Sequence, residues 1–130
     1  MSDTELLEEI LTQILEGIQR IERRSDGIQS ADDFVSTNEG VDRLDAIGMM
    51  LVAIGECIKN FERTGGKTLM DAHPEVDWKG AKGMRDFLSH HYFDLDAEVV
   101  FAVCRDHIDG LKRAVIMMRN ELNKGYMPDL

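Results

Sequence analysis

The sequence predicts an all-α fold, an antiparallel four-helix bundle, on three observations. Apolar residues recur in steps of three and four along the longest windows, which is the period of one helix face. No long window is dominated by β-branched or aromatic residues. With five Phe, two Tyr and one Trp in 130 residues, a β-sandwich or barrel is improbable. The windows are joined by mostly short connections, so consecutive helices fold back on one another. A chain that is 43% hydrophobic and 31% charged can bury a core, and its length suits one domain. That domain is assigned to residues 1–124, with 125–130 as a loose C-terminal tail.

The first helix carries the stripe Leu7, Ile10, Leu11, Ile14, Ile18 and Ile21. Ser2, Asp3 and Thr4 offer capping oxygens before it, and Arg20, Arg23 and Arg24 suit the negative end of its dipole. Gly27 is a plausible stop. Residues 31–35 form a possible short extra helix. Ser36 followed three residues later by Glu39 reads as a capping box. The second helix then runs to about Arg63 with the stripe Val41, Leu44, Ile47, Leu51, Ile54, Ile58 and Phe61, and Thr64-Gly65-Gly66 ends it. Residues 64–77 read as the longest irregular connection. Asp77 caps a third helix from Trp78 to about Tyr92. The fourth follows Asp96 as one continuous helix with the stripe Val100, Cys104, Ile108, Leu111, Val115, Met118 and Leu122. Eight methionines spread across these helices read as core filler.

Charge and cysteine usage narrow the function. Fifteen basic against 25 acidic residues give a net charge of −10. Such a field repels polyanions, so a broad basic face for duplex DNA or RNA is not expected and DNA is not a partner. A small local site built from a few cations is still allowed. Cys57 and Cys104 form no CxxC pair and read as buried free thiols. The acidic start MSDTELLEEI lacks the progression of a signal peptide, and no apolar run approaches the roughly 20 residues of a membrane span. A cytoplasmic protein is expected.

Several apparent motifs fail on physical grounds. Gly66-Lys67-Thr68 looks like the end of a phosphate-binding loop, but the glycine required five residues earlier is Phe61, and a helix rather than a strand precedes it. Gly80 and Gly83 have the GxxG spacing of an RNA clamp yet fall inside a helix, where close helix approach is the simpler reason for them. His73, His90, His91 and His107 have no spacing that defines a metal site, and His90 and His91 point about 100° apart on a helix. Neither a metal nor another cofactor is expected.

The segment Met84-Arg85-Asp86-Phe87-Leu88-Ser89-His90-His91-Tyr92 carries chemistry. Arg85, Ser89 and Tyr92 share one helix face, and Asp86 and His90 share a neighbouring one. A guanidinium can hold a phosphodiester and stabilise transition-state charge. A histidine near neutral pKa can move the proton, so a 2′-hydroxyl of RNA can attack its own phosphate without a metal. Asp86 could orient His90, and Ser89 could assist positioning. On an ideal helix Arg85 and His90 lie about 140° apart, so a second copy across a two-fold axis would complete such a site. Spacing alone also fits an ordinary bundle helix with a surface Arg–Asp pair.

The string Arg85-x-x-x-x-His90-x-Tyr92 resembles the R-x-x-x-x-H-x-Y motif of the HepT-like HEPN ribonuclease toxins. Further strings resemble that family: Ile54-Gly55-Glu56; His73-Pro74-Glu75-Val76-Asp77-Trp78; Gly83-Met84-Arg85-Asp86; and Tyr92-Phe93-Asp94-Leu95-Asp96. The resemblance is clear over about residues 44–105. It implies a HEPN-type helical bundle that forms homodimers around a shared cleft. It also implies a metal-independent endoribonuclease toxin of a type VII-like toxin–antitoxin pair, acting on RNA such as tRNA or mRNA. Arg85 and His90 map onto the family's catalytic pair. Asp86, Ser89 and Glu56 take supporting places, Glu56 as a partner of the motif arginine. Tyr92 maps onto the tyrosine that a MntA-like nucleotidyltransferase antitoxin modifies with AMP, and phosphate charge and bulk there would exclude RNA. Asp86 stands where the family commonly has asparagine, which adds a negative charge beside the phosphate site. A non-catalytic HEPN partner of a nucleotidyltransferase is the alternative. The cations near the motif are Arg85, Arg105, Lys79 and Lys82, and if they share one face the local field turns positive.

Overall fold

The computed structural model of the chain describes residues 2–90, 93 and 95–125, without the side chains of residues 89 and 90. Every regular element among them is helical. Helix α1 (Asp3–Ser25) starts where the Ser2 hydroxyl accepts from the Glu5 N–H at 3.1 Å. All six residues of its predicted stripe are buried. Its C-terminal end is closed from a distance: the Arg43 guanidinium donates to the carbonyls of Arg24 at 3.2 Å and Asp26 at 2.8 Å. The short helix α2 (Asp32–Val35) buries Phe34 completely.

Helix α3 (Asn38–Phe61) is capped by Thr37, not by the Ser36 of the expected capping box. The Thr37 hydroxyl accepts from the Gly40 N–H at 2.9 Å, while Ser36 closes α2. The reason is the tight corner between the helices, where a Cβ on Gly40 would come within 2.2 Å of the Asp33 carbonyl oxygen. The rest of the α3 stripe, from Leu44 to Phe61, is buried, but Val41 is exposed. A wide π-type turn over Glu62–Gly66 follows, in which Gly65 adopts φ +101°. That left-handed conformation suits glycine and ends the helix as the sequence indicates.

The stretch read as one irregular connection contains a helical turn, α4 (Lys67–Asp71), because Leu69 and Met70 must be buried. Helix α5 (Trp78–His90) follows. The fourth predicted helix is two. It breaks at His107 (φ −121°, ψ −30°) into α6 (Ala97–Asp106), capped by Asp96, and α7 (Ile108–Asn123). Neither proline nor glycine occupies the break. The apolar stripe runs through it, which is why periodicity conceals it. The change of direction lets α7 lie along α1 while α6 reaches α1, α2 and α3.

The core lies between α1, α3 and α7, and α5 packs against α3 and adds Leu88 to that core. Among the described residues no helix is long and apolar enough to cross a membrane.

Candidate functional site

The site is built on α5, and three contacts place that helix. At its start the Asp77 carboxylate accepts from the Gly80 N–H at 2.9 Å. The Trp78 indole N–H donates to the carbonyls of Met70 at 3.0 Å and His73 at 3.1 Å, tying α5 to the end of α4. Near the other end Leu88 is buried in the core. Between them α5 approaches α3 at Gly55, where an added Cβ would lie 3.0 Å from the Arg85 Cβ and 3.1 Å from the Ala81 carbonyl oxygen. The close helix approach expected of Gly80 and Gly83 therefore belongs to Gly55. A Cβ on Gly80 would first meet the capping Asp77 carboxylate, and one on Gly83 meets nothing within 4 Å.

The absence of a side chain at Gly55 brings its neighbour Glu56 to Arg85. The Arg85 Nε lies 2.5 Å from the Glu56 Oε1, and the Arg85 Nη1 donates to the Asp86 Oδ1 at 2.8 Å. Lys59 approaches the same Asp86 oxygen at 3.8 Å. The Asp86 hydrogen bond first, and then the Glu56 charge, raise the Arg85 pKa further above its already high ordinary value. The arginine is thus permanently charged, 42% exposed, and oriented by two carboxylates. Its Nη2 has no acceptor among the described residues. Such a guanidinium can accept a phosphate along its open edge.

Of the other candidates, Ser89 and His90 occupy the last turn of α5, and their side chains lie outside the described residues. Tyr92 and His91 also lie outside them. Lys79 and Lys82 do share a face, which is joined by Lys59 of α3 and Arg63 of the π-type turn that follows it. Those two cations went unnoticed in the sequence reading, although Glu56, Lys59 and Arg63 fall at helical spacing on one face. Arg105 belongs elsewhere: it stands over the Phe101 ring at 5.3 Å and pairs with Asp106 at 2.8 Å. The two thiols are free and half-buried rather than fully buried. Burial, then the Glu56 charge, pushes the Cys57 pKa up, and burial takes Cys104 to about 11. Both thiols stay protonated at neutral pH, which makes them poor nucleophiles.

The family model described as "Ribonuclease HepT-like" matches residues 14–126. The chain belongs to the HepT-like ribonuclease family. Its relatives include a Thermococcus cleftensis protein named "Probable ribonuclease HepT", 34% identical over 52% of this chain and 57% of the relative. A Methanocaldococcus jannaschii protein named "Gamma-glutamylcyclotransferase and putative RNase MJ0434" is 30% identical over 88% of this chain and 48% of its own length. The chain spans about half the length of the curated relatives it matches. No solved structure matches it. The all-helical architecture agrees with a HEPN bundle, and α3 and α5 carry the segments that resemble this family.

Proposed function

We propose that the chain is a metal-independent endoribonuclease, the toxin of a type VII-like toxin–antitoxin pair, acting in the cytoplasm. The observation that carries this reading is Arg85, which is partly exposed, permanently charged and held by Glu56 and Asp86 on α5, the helix that bears the arginine and histidine of the R-x-x-x-x-H-x-Y motif. Arg85 holds the scissile phosphodiester of an RNA such as a tRNA or mRNA. His90 takes the proton of the adjacent 2′-hydroxyl as its oxygen attacks phosphorus. The bond to the 5′-oxygen breaks, that oxygen takes a proton from water, and the products are a 2′,3′-cyclic phosphate and a 5′-hydroxyl. Glu56, Asp86 and Ser89 are positioning residues. Because Arg85 and His90 diverge by about 140° around α5, a homodimer brings the arginine of one protomer toward the histidine of the other. Addition of AMP to Tyr92 by a nucleotidyltransferase antitoxin silences the site by filling it with negative charge.

One observation favours a second reading, a non-catalytic HEPN partner of a nucleotidyltransferase. Asp86 places a carboxylate against the arginine that must hold phosphate. The test is cleavage of total cellular RNA in the presence of a chelator, with Tyr92 first shown by intact mass to be unmodified. Cleavage by wild type and its loss in both Arg85→Ala and His90→Ala supports the ribonuclease. An unmodified, folded dimer that leaves RNA intact supports the second reading.

A further inference from the structure

Beside the Arg85 cluster a groove of about 410 Å³ runs between the C-terminal end of α3 and α5, lined by Lys59, Glu62, Arg63, Lys79, Lys82, Gly83 and Asp86. Four cations face two carboxylates there, in a chain whose net charge is −10. Both carboxylates are already matched: Glu62 by Lys82 at 3.0 Å, and Asp86 by Arg85 and Lys59. Among the described residues no carboxylate lies within ion-pair distance of Lys79 or Arg63, and both are exposed. The surplus charge of the groove therefore rests on side chains that lack a protein counter-ion.

Gly83 is a second, independent observation. A glycine inside a helix is unfavourable, and no packing contact requires this one, since a Cβ there would meet nothing within 4 Å. What its absent side chain leaves open is the groove floor. Positions 79, 83, 86 and 90 also follow one another in steps of four, three and four, a single stripe along α5. The groove thus leads by backbone register to position 90, about 16 Å from position 79 along the axis.

We propose that this groove is the track on which a single-stranded RNA lays its phosphate backbone beside the scissile bond, with Lys79 and Arg63 neutralising phosphates and Gly83 leaving room for the strand. The proposal rests on the ribonuclease reading and adds to it the residues that hold substrate away from the reacting atoms. It also accounts for RNA binding by an acidic protein: a local strip of positive charge suffices for a single strand, whereas a duplex would demand a broad face.

The test measures Kd for a labelled single-stranded RNA across salt concentrations, using the full-length His90→Ala protein so that the RNA is not cut. Adding Lys79→Gln and Arg63→Gln should lower the slope of log Kd against log salt by about 1.4, roughly 0.7 for each lost phosphate contact. Adding Arg20→Gln and Arg113→Gln, two exposed cations elsewhere, should leave it unchanged. Gly83→Leu should weaken RNA binding while the melting temperature stays the same or rises. An unchanged slope in the first variant, or full affinity in Gly83→Leu, overturns the track. If wild type cleaves RNA while that slope is unchanged, the track fails and the ribonuclease stands. If the slope falls as expected but wild type never cleaves, the track stands and the ribonuclease fails. RNA affinity untouched by Lys79→Gln and Arg63→Gln, with antitoxin binding lost, would make the groove a protein interface and also overturn the proposal.

Discussion

Asp86→Asn isolates the charge that most opposes phosphate binding. The carboxylate lies 2.8 Å from the Arg85 Nη1 and is 56% exposed. A phosphate on the open edge of the same guanidinium would sit about 6–7 Å from it. At that separation two unit charges repel by about 0.6–1.4 kcal/mol for an effective dielectric of roughly 40–80, the range suited to a group more than half exposed. Removing the charge should tighten RNA binding about three- to tenfold at low salt. Screening over a Debye length of about 8 Å should cut the gain to about two- to threefold near 0.15 M salt. Asparagine keeps the shape and can still accept from Arg85 through its carbonyl oxygen, so the fold should be unchanged. The assay is Kd by fluorescence anisotropy for an uncut RNA in a His90→Ala background, followed by cleavage rates in the His90 protein. A gain that ignores salt, or a loss of affinity, would refute the electrostatic argument. A cleavage rate that collapses while binding improves would show that Asp86 acts chiefly by positioning His90.

Three further outcomes are expected. Gly55→Val places side-chain atoms where Arg85 Cβ and the Ala81 carbonyl already crowd the helix. It should destabilise by about 1–3 kcal/mol in urea unfolding, and a midpoint equal to wild type would show that α5 can move away freely. Trp78→Phe keeps an aromatic ring but removes the pyrrole portion with the N–H shared by the Met70 and His73 carbonyls. A loss of about 1–2 kcal/mol is expected, with faster amide exchange at the start of α5, and unaltered exchange there would contradict it. Burial raises the Cys104 thiol from its ordinary 9.0 to about 11. The neutral thiol is the form the fold accepts, so its contribution is intact below pH 9 and is lost as the pH rises toward 11. Relative to Cys104→Val, wild type should lose stability over that window, by about 1 kcal/mol rather than the full value of the shift, because the half-buried thiol is partly solvated. A stability difference that stays flat from pH 8 to 11 would mean that the thiol is fully solvated.

The acidic balance of the chain misleads if it is read only as a total. The net charge of −10 predicts repulsion from nucleic acid, yet cations from two helices distant in sequence line one groove. The local field depends on which residues share a face, and a sum over the chain does not contain that information.

Helix existence, the caps at Ser2 and Asp77, the stop at Gly65 and nearly all of the buried stripe were legible in the sequence, because hydrophobic period, capping oxygens and left-handed glycine conformations are local properties. The motif on α5 was legible for the same reason. The break at His107 was not, because no residue there forbids a helix; the direction change follows from α6 and α7 packing on different neighbours. The α4 turn was equally hidden, since Leu69 and Met70 acquire their reason to be buried only from the helices around them. Glu56 could be named from the sequence as a partner of Arg85, but its approach to 2.5 Å depends on Gly55 letting two helices close. Lys59 and Arg63 reach the site only because α3 and α5 pack side by side, and contacts between segments far apart in sequence are decided by packing the whole core at once.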